Sequence, residues 1–190
     1  MSTVLVRRWT RQEYERMVEA GVFPPGERME LVDGEVLKMT PQGSVHATAL
    51  LLAEEALRTA FGAGAHVRVQ LPLGLDPTSE PEPDVTVVVG SLRDYRDAHP
   101  TSALLAVEVA DTTLLYDREQ KGSLYARAGV ADYWIVNLLD WCVEVYRDPA
   151  LMPQARYGWG YRTQLRFSRG DHISPLAASQ ARVAVTDLLP

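Results

Sequence analysis

The chain has 190 residues, of which 46% are hydrophobic and 23% charged, ordinary values for a globular protein of one domain. Its net charge of -6 argues against a basic coat protein that neutralises phosphates, but not against an enzyme whose bound metal supplies positive charge. The single cysteine, Cys142, excludes an intrachain disulfide and favours a reducing cytoplasm. The N-terminal residues lack a signal-peptide pattern, and no apolar run approaches the ~20 residues of a membrane span.

The first part of the chain predicts a short helix and a β-hairpin. Thr10 opens a capping-box pattern, so a helix is expected from this residue to Gly21. The pair Asp33-Gly34 lies between two short apolar runs, which is a strong local signal for a hairpin. We therefore expect two antiparallel strands within residues 29–39.

The next part predicts a buried helix followed by a strand. Ser44 can cap a helix that runs to Phe61 and is apolar on more than one face. Residues 65–71 alternate between polar and apolar side chains, which is typical of a strand. Arg68 and Gln70 are therefore expected on the same face of that strand.

Three mainly apolar runs follow, as expected for strands buried on both faces of a helix-covered sheet. A helix predicted over residues 117–128 separates the second run from the third, so these two strands should be parallel with a right-handed crossover. Another strand over residues 143–147 and one or two edge strands should complete the sheet. The three apolar runs are residues 85–89, 104–109 and 133–137.

This order of elements predicts the α/β (α+β) class, with a mixed central sheet flanked by helices and preceded by the N-terminal helix and hairpin. No linker divides the chain, so a single domain over residues 1–190 is expected.

Two acidic residues lie at or inside the apolar strands, and a lysine follows on the predicted helix. Asp84 precedes the first apolar run and Glu108 interrupts the second. A carboxylate in a buried strand is costly unless it is paired or binds a cation, so two of them beside Lys121 suggest a divalent-metal site. The alternative is that each acid ends a strand or pairs with an arginine, and that Lys121 forms a surface ion pair with Asp117.

Several fragments between about residues 28 and 147 occur in a characteristic order. They are Arg28-x-Glu30-Leu-Val-Asp33-Gly34-Glu35, Met39-Thr-Pro41 with His46 following, Pro83-Asp84-Val85, Val107-Glu108-Val109 continuing to Asp117-Arg-x-x-Lys121-x-x-x-Tyr125, and Gly129-Val-x-Asp-Tyr133-Trp134. In this ordered series the sequence resembles the PD-(D/E)XK nuclease core, and within it the Uma-type family of restriction endonucleases.

The resemblance implies a restriction-endonuclease-like core in which Asp84 and Glu108 hold Mg²⁺, with Mn²⁺ able to substitute. The superfamily lysine usually follows the glutamate by two residues, and here that position is Ala110. The family pattern places the lysine on the following helix, as Lys121. Its implied role is to position or deprotonate the attacking water and to stabilise charge on the phosphoryl oxygens.

Five further residues are candidates for supporting roles, each with an alternative. Glu30 could complete the metal site or pair with Arg28 or Lys38 across the hairpin. His46 could contact a phosphate or a metal-binding carboxylate, or lie in the core. Gln70 could line the cleft, Asp117 could orient the lysine amine, and Tyr125 could orient the same amine or only contribute to packing.

The implied activity is a Mg²⁺-dependent endodeoxyribonuclease that hydrolyses DNA phosphodiester bonds with a metal-activated water. The alternative is a non-catalytic module of the same fold that binds nucleic acid or a protein. A homodimer is expected because cleavage of both strands needs two active sites, and a cytoplasmic location without membrane contact follows from the composition.

Overall fold

The computed structural model describes residues 6–190. Helix α1 comprises Arg11–Glu19, and Thr10 caps it through the reciprocal capping box with Glu13, as the sequence predicts. Strands β1 (Met29–Val32) and β2 (Glu35–Lys38) form the predicted antiparallel hairpin.

The hairpin turn and its attachment to the rest of the protein follow from local chemistry. Asp33 and Gly34 have φ values of 48° and 81°, the left-handed conformations that a tight two-residue turn requires. Leu31 exchanges backbone hydrogen bonds of 3.2 and 2.7 Å with Glu80, which fixes β1 to the loop before the central sheet. The hairpin thereby holds the side chains of β1 against the body of the protein.

The central sheet has six strands in the order β3-β4-β5-β6-β7-β8, and β5 and β6 form its parallel pair. The other four neighbouring pairs are antiparallel. This mixed sheet flanked by helices confirms the predicted fold class. Its strands are β3 (Ala65–Val69), β4 (Val85–Val89), β5 (Leu105–Ala110), β6 (Asp132–Asn137), β7 (Cys142–Leu151) and β8 (Trp159–Ser168).

One face of the sheet packs against helix α2 (Ser44–Phe61) and the C-terminal segment. Val107 and Val109 of β5 point to this face, where Leu57 of α2 is completely buried. Ser44 is the first residue of α2 and Gly43 occupies the cap position without a side-chain hydrogen bond, so the predicted serine cap is wrong by one residue.

The opposite face packs against a helical segment built from three pieces: α3 (Leu114–Tyr116), a π-helical turn (Asp117–Lys121) and α4 (Gly122–Arg127). The segment begins three residues before the predicted start of the helix, and the π turn was not predicted. Four tyrosines pack against one another in this contact layer: Tyr125, Tyr133, Tyr146 and Tyr161.

The C-terminal part extends the sheet and closes the first face. β7 and β8 are each ten residues long, and β8 forms the predicted edge of the sheet. The short strands β9 (His172–Ile173) and β10 (Val183–Ala184) pair with each other and bring apolar side chains onto α2. Four 3-10 turns complete the described residues: Gly62–Gly64, Leu92–Tyr95, Leu176–Ala178 and Val185–Asp187.

Candidate active site

The two predicted metal-binding carboxylates lie together at one edge of the central sheet. β4 and β5 pair with Val85 opposite Val107, so Asp84, one residue before β4, stands opposite Glu108. The Val109 amide donates to Asp84 Oδ2 at 2.9 Å, and the Asp84 amide approaches Glu108 Oε2 at 3.4 Å. This edge is also where the parallel strands β5 and β6 end, the usual position of a ligand site in such sheets.

Asp84 is held by polar side chains from two other elements. Its Oδ1 accepts hydrogen bonds from Gln70 at 3.1 Å and Gln42 at 3.4 Å, and lies 3.3 Å from His46 Nε2. Burial alone would raise the pKa of Asp84, but His46, the Val109 amide and Gln70 outweigh it and hold that pKa below its usual value. Asp84 is therefore charged at neutral pH.

The side chain of Gln70 can reach Asp84 because the regular strand ends at the preceding residue. β3 stops at Val69, and Gln70 has a φ of 49°, so the side-chain alternation predicted for residues 65–71 does not extend to this residue. His46 reaches the same carboxylate from the first turn of α2. Both candidates thus contact Asp84.

Glu108 is 4% exposed and contacts two side chains of the helical segment. Tyr125 donates to Glu108 Oε1 at 2.6 Å, and the Lys121 ammonium lies 3.3 Å from the same oxygen. Burial raises the pKa of Glu108 to about 8, although the positive charge of Lys121 opposes this effect. Tyr125 therefore orients Glu108, whereas the sequence interpretation had it orienting the lysine.

Lys121 is fully enclosed, with 1% of its surface exposed, so a surface ion pair is excluded. Its Nζ donates to Glu30 Oε2 at 2.6 Å as well as approaching Glu108. Burial alone would lower the pKa of Lys121, but Glu108 and Glu30 raise it well above the ordinary value. The lysine is a buried cation between two buried carboxylates.

Glu30 belongs to this cluster and not to a pair across the hairpin. Arg28 pairs with Glu82 at 2.8 Å, and Lys38 pairs with Glu27, so both of the alternative partners are occupied elsewhere. Glu30 is 1% exposed and accepts a further hydrogen bond of 3.2 Å from the Glu82 amide.

Asp117 lies near the Lys121 amine, but within residues 6–190 the two side chains form no ion pair. Thr113 donates to Asp117 Oδ2 at 2.6 Å, so this threonine, and not Lys121, fixes the carboxylate. Burial raises the pKa of Asp117 to about 6. Within residues 6–190 no ion pair supports the predicted role of Asp117 in orienting the amine, and the two groups interact through their charges alone.

The π turn explains how Asp117 and Lys121 are both buried. The Gly122 amide bonds to the Asp117 carbonyl, five residues earlier, which inserts one extra residue into the helix. Tyr133 donates to the same carbonyl at 3.0 Å. A π turn of this kind is frequent at functional sites because it redirects side chains that a regular helix would place elsewhere.

A cleft of about 330 Å³ opens onto the cluster. The hairpin and the loop after it form one wall, and the start of the helical segment forms the other. Sequence reasoning missed three of its residues, Gln42, Thr113 and Tyr116, because no short motif marks these neutral side chains. The site residues predicted from the sequence that line the cleft are Glu30, His46, Asp84, Glu108, Asp117 and Lys121.

The residues present fit a Mg²⁺ ion. Asp84 and Glu108 are hard oxygen donors that meet at one point and face the cleft, and Glu108 Oε2 accepts only the long contact from the Asp84 amide. Mg²⁺ commonly binds through one or two carboxylates while keeping water and substrate oxygens as further ligands. The donor set therefore matches the ion that the sequence pattern implies.

A second group of possible donors lies elsewhere: ligand atoms of Asp140, Cys142 and Glu144 fall within 4.8 Å of one another. Glu144 is already occupied, since Arg118 donates to both its oxygens and the Tyr146 hydroxyl donates at 2.7 Å. These contacts outweigh the effect of burial and lower the pKa of Glu144 to about 2. The group is explained as an ion-pair network.

The architecture and the edge cluster define a nuclease-like fold. The structure aligns with a crystal structure described as a putative nuclease belonging to DUF820 from Anabaena variabilis ATCC 29413, with a TM-score of 0.63 and 16% identity over 90% of this chain and 96% of that one. The chain belongs to the Uma2 family, described as putative restriction endonuclease, whose model matches residues 11–182. No curated protein matches the sequence. Within residues 6–190, no helix has the length and hydropathy to cross a bilayer.

Proposed function

We propose that this protein is a Mg²⁺-dependent endonuclease that hydrolyses DNA phosphodiester bonds. The observation that carries the proposal is the buried Lys121 ammonium, 2.6 Å from Glu30 and 3.3 Å from Glu108, beside the Asp84 carboxylate in one cleft. Enclosing a lysine and three carboxylates costs stability. Perturbed ionisable groups that cluster in a cleft are typical of active sites, and membership of the Uma2 family supports nuclease chemistry.

The contacts of each residue indicate its role in the proposed reaction. Asp84 and Glu108 would hold the cation, which when bound supplies the positive charge that lowers the pKa of an attacking water and neutralises the phosphate. His46 and Gln70 keep Asp84 oriented and charged, and Tyr125 fixes Glu108.

Lys121 is the charge-stabilising group of the proposal. Its raised pKa keeps the amine protonated at neutral pH, so it can donate hydrogen bonds to a phosphoryl oxygen as negative charge develops there. It has no role as a metal ligand, because an ammonium group offers no lone pair.

The test is cleavage of plasmid and linear DNA in Mg²⁺ and in Mn²⁺, with the wild type beside Asp84→Asn. Asn keeps the size of the side chain but removes the charge that binds the cation, so the rate should fall by at least ~10²-fold. Asp140→Asn is the matched control, since this exposed residue lies outside the cleft and should cleave like the wild type. Equal rates for Asp84→Asn and the wild type would refute the proposed site.

A binding module that has lost its chemistry is the second candidate. It is favoured by the ion pairs that Lys121 already makes with Glu30 and Glu108, and by the absence of a lysine at position 110. Calorimetric titration with Mg²⁺ separates the two, because a non-catalytic module has no need of a cation. DNA binding that is unchanged by Asp84→Asn, without metal binding or cleavage, would favour the module.

A further inference from the structure

The Tyr116 hydroxyl is a buried polar group without a hydrogen-bond partner. In residues 6–190 it shares this condition with one other side-chain atom, Arg68 Nε, which lies on β3 outside the cleft lining. A buried donor that makes no hydrogen bond destabilises the folded protein, and such a group in a native structure needs an explanation.

The surroundings of the hydroxyl link it to the active-site cluster. Tyr116 lines the same cleft as Glu30 and Lys121 and lies one residue before the π turn that carries the lysine. Burial, and then the negative charge of Glu30, raise the pKa of Tyr116 well above its ordinary value, so the hydroxyl remains a proton donor. Tyr116 and Glu30 line one cleft, so the unpartnered hydroxyl is a donor available to that carboxylate.

Glu30 depends on Lys121 in the free protein. The lysine donates to Glu30 Oε2 at 2.6 Å, and the Glu82 amide donates to the same oxygen at 3.2 Å. Only 2% of the Lys121 side chain is exposed, so we expect the ammonium to move towards the cleft and away from Glu30 when it binds a substrate phosphate. Glu30 is 1% exposed, so water cannot replace the lost donor, and a buried carboxylate with one hydrogen bond is costly.

We propose that Tyr116 is a positioning residue whose hydroxyl takes over the hydrogen bond to Glu30 when the Lys121 ammonium turns to the substrate phosphate. This inference rests on the proposed nuclease function. The exchange breaks the Lys121–Glu30 hydrogen bond and forms the Tyr116–Glu30 one, with no proton transferred. The hydroxyl is thus unpartnered in the free state because its partner becomes available only during catalysis.

The test is Tyr116→Phe, with single-turnover and steady-state cleavage, Mg²⁺ affinity and melting temperature measured on the same samples. Since the hydroxyl makes no hydrogen bond in the free protein, the melting temperature should be unchanged or higher. The kcat should fall by ~10- to 100-fold with KM and Mg²⁺ affinity unchanged, as expected for an interaction made only along the reaction path. Tyr161→Phe is the control: it loses a 2.8 Å hydrogen bond to the Val130 carbonyl, so it should melt lower and cleave normally.

Each contrary result has a distinct meaning. A lower melting temperature for Tyr116→Phe would show that the hydroxyl already has a partner, which overturns the inference. Wild-type kcat in this variant would also overturn it while leaving the proposed nuclease function intact. A wild-type protein that cleaves no DNA in either metal would overturn the nuclease proposal, and the inference with it.

Discussion

Lys121 is expected to stabilise the fold as well as the reaction, and Lys121→Met tests this. Methionine keeps the length and packing of the side chain but removes the charge that lies between Glu30 and Glu108, which are 1% and 4% exposed. Removing one partner of a buried ion pair typically costs about 3–5 kcal/mol, because the remaining charge is left without compensation. We expect a loss of that size in the free energy of unfolding at about pH 8.

The loss should depend on pH in a defined direction. Without the ammonium, the folded-state pKa of Glu108 should lie further above the ordinary carboxyl value, so the folded variant binds more protons than the unfolded one. The stability of the variant is then greatest below the pKa that the carboxyl group has in the unfolded chain, and it falls as the pH rises through the pKa of the folded state. Burial already raises the pKa of Glu108 to about 8 in the wild type, so the cost of Lys121→Met should be much smaller at about pH 5 than at pH 8.

Urea denaturation at several pH values measures this, with Arg127→Met as the matched control. Arg127 also bridges two carboxylates, Asp33 at 2.7 Å and Asp76 at 2.9 Å, but all three side chains are about a quarter exposed. Its replacement should cost about 1 kcal/mol or less, with little change over this pH range. Lys121→Met that is as stable as the wild type at pH 8 would refute the description of Lys121 as a buried cation between buried carboxylates.

Two further predictions concern stability at low pH and assembly. The pKa of Glu144 is lowered to about 2 from an ordinary 4.5, so its contribution is complete above pH 4.5 and is lost as the pH falls towards 2. Glu144→Gln should therefore cost ~1–2 kcal/mol at neutral pH, a value reduced for the partial exposure of Arg118, and should approach the wild type in acid denaturation; a constant difference would contradict this. The homodimer stays a prediction from the sequence, and sedimentation that shows only monomer at micromolar concentration would count against it.

The sequence predicted those parts of the site whose signal is local. Asp84 and Glu108 stand out because acidic residues are rare within apolar runs, and strand pairing alone then places them opposite each other. The hairpin was equally clear, because Asp33-Gly34 is one of the few dipeptides suited to a two-residue turn. In these cases the residue type and the secondary structure together determine the position.

The contacts of the remaining residues could not be predicted because they depend on where separate elements meet. Glu30 and Lys121 are 91 positions apart, and their 2.6 Å contact exists only once the hairpin and the helical segment have docked on the same edge of the sheet. The burial of Lys121 could not be predicted either, because an Asp-x-x-x-Lys spacing is typical of an exposed ion pair on a regular helix. The π turn changes the relative orientation of these two side chains, and no residue type in the sequence predicts such a turn.

The sheet itself explains why the lysine is supplied by a helix. Ala110 follows Glu108 by two residues on the same face of β5, and it is completely buried in the layer that includes Tyr125 and Tyr133. A lysine at this position would have to displace aromatic side chains from a closely packed interior, which costs stability even before its charge is counted. The π turn instead brings Lys121 to Glu108 from above that layer, so the tyrosine packing and a buried amine can coexist at the same edge of the sheet.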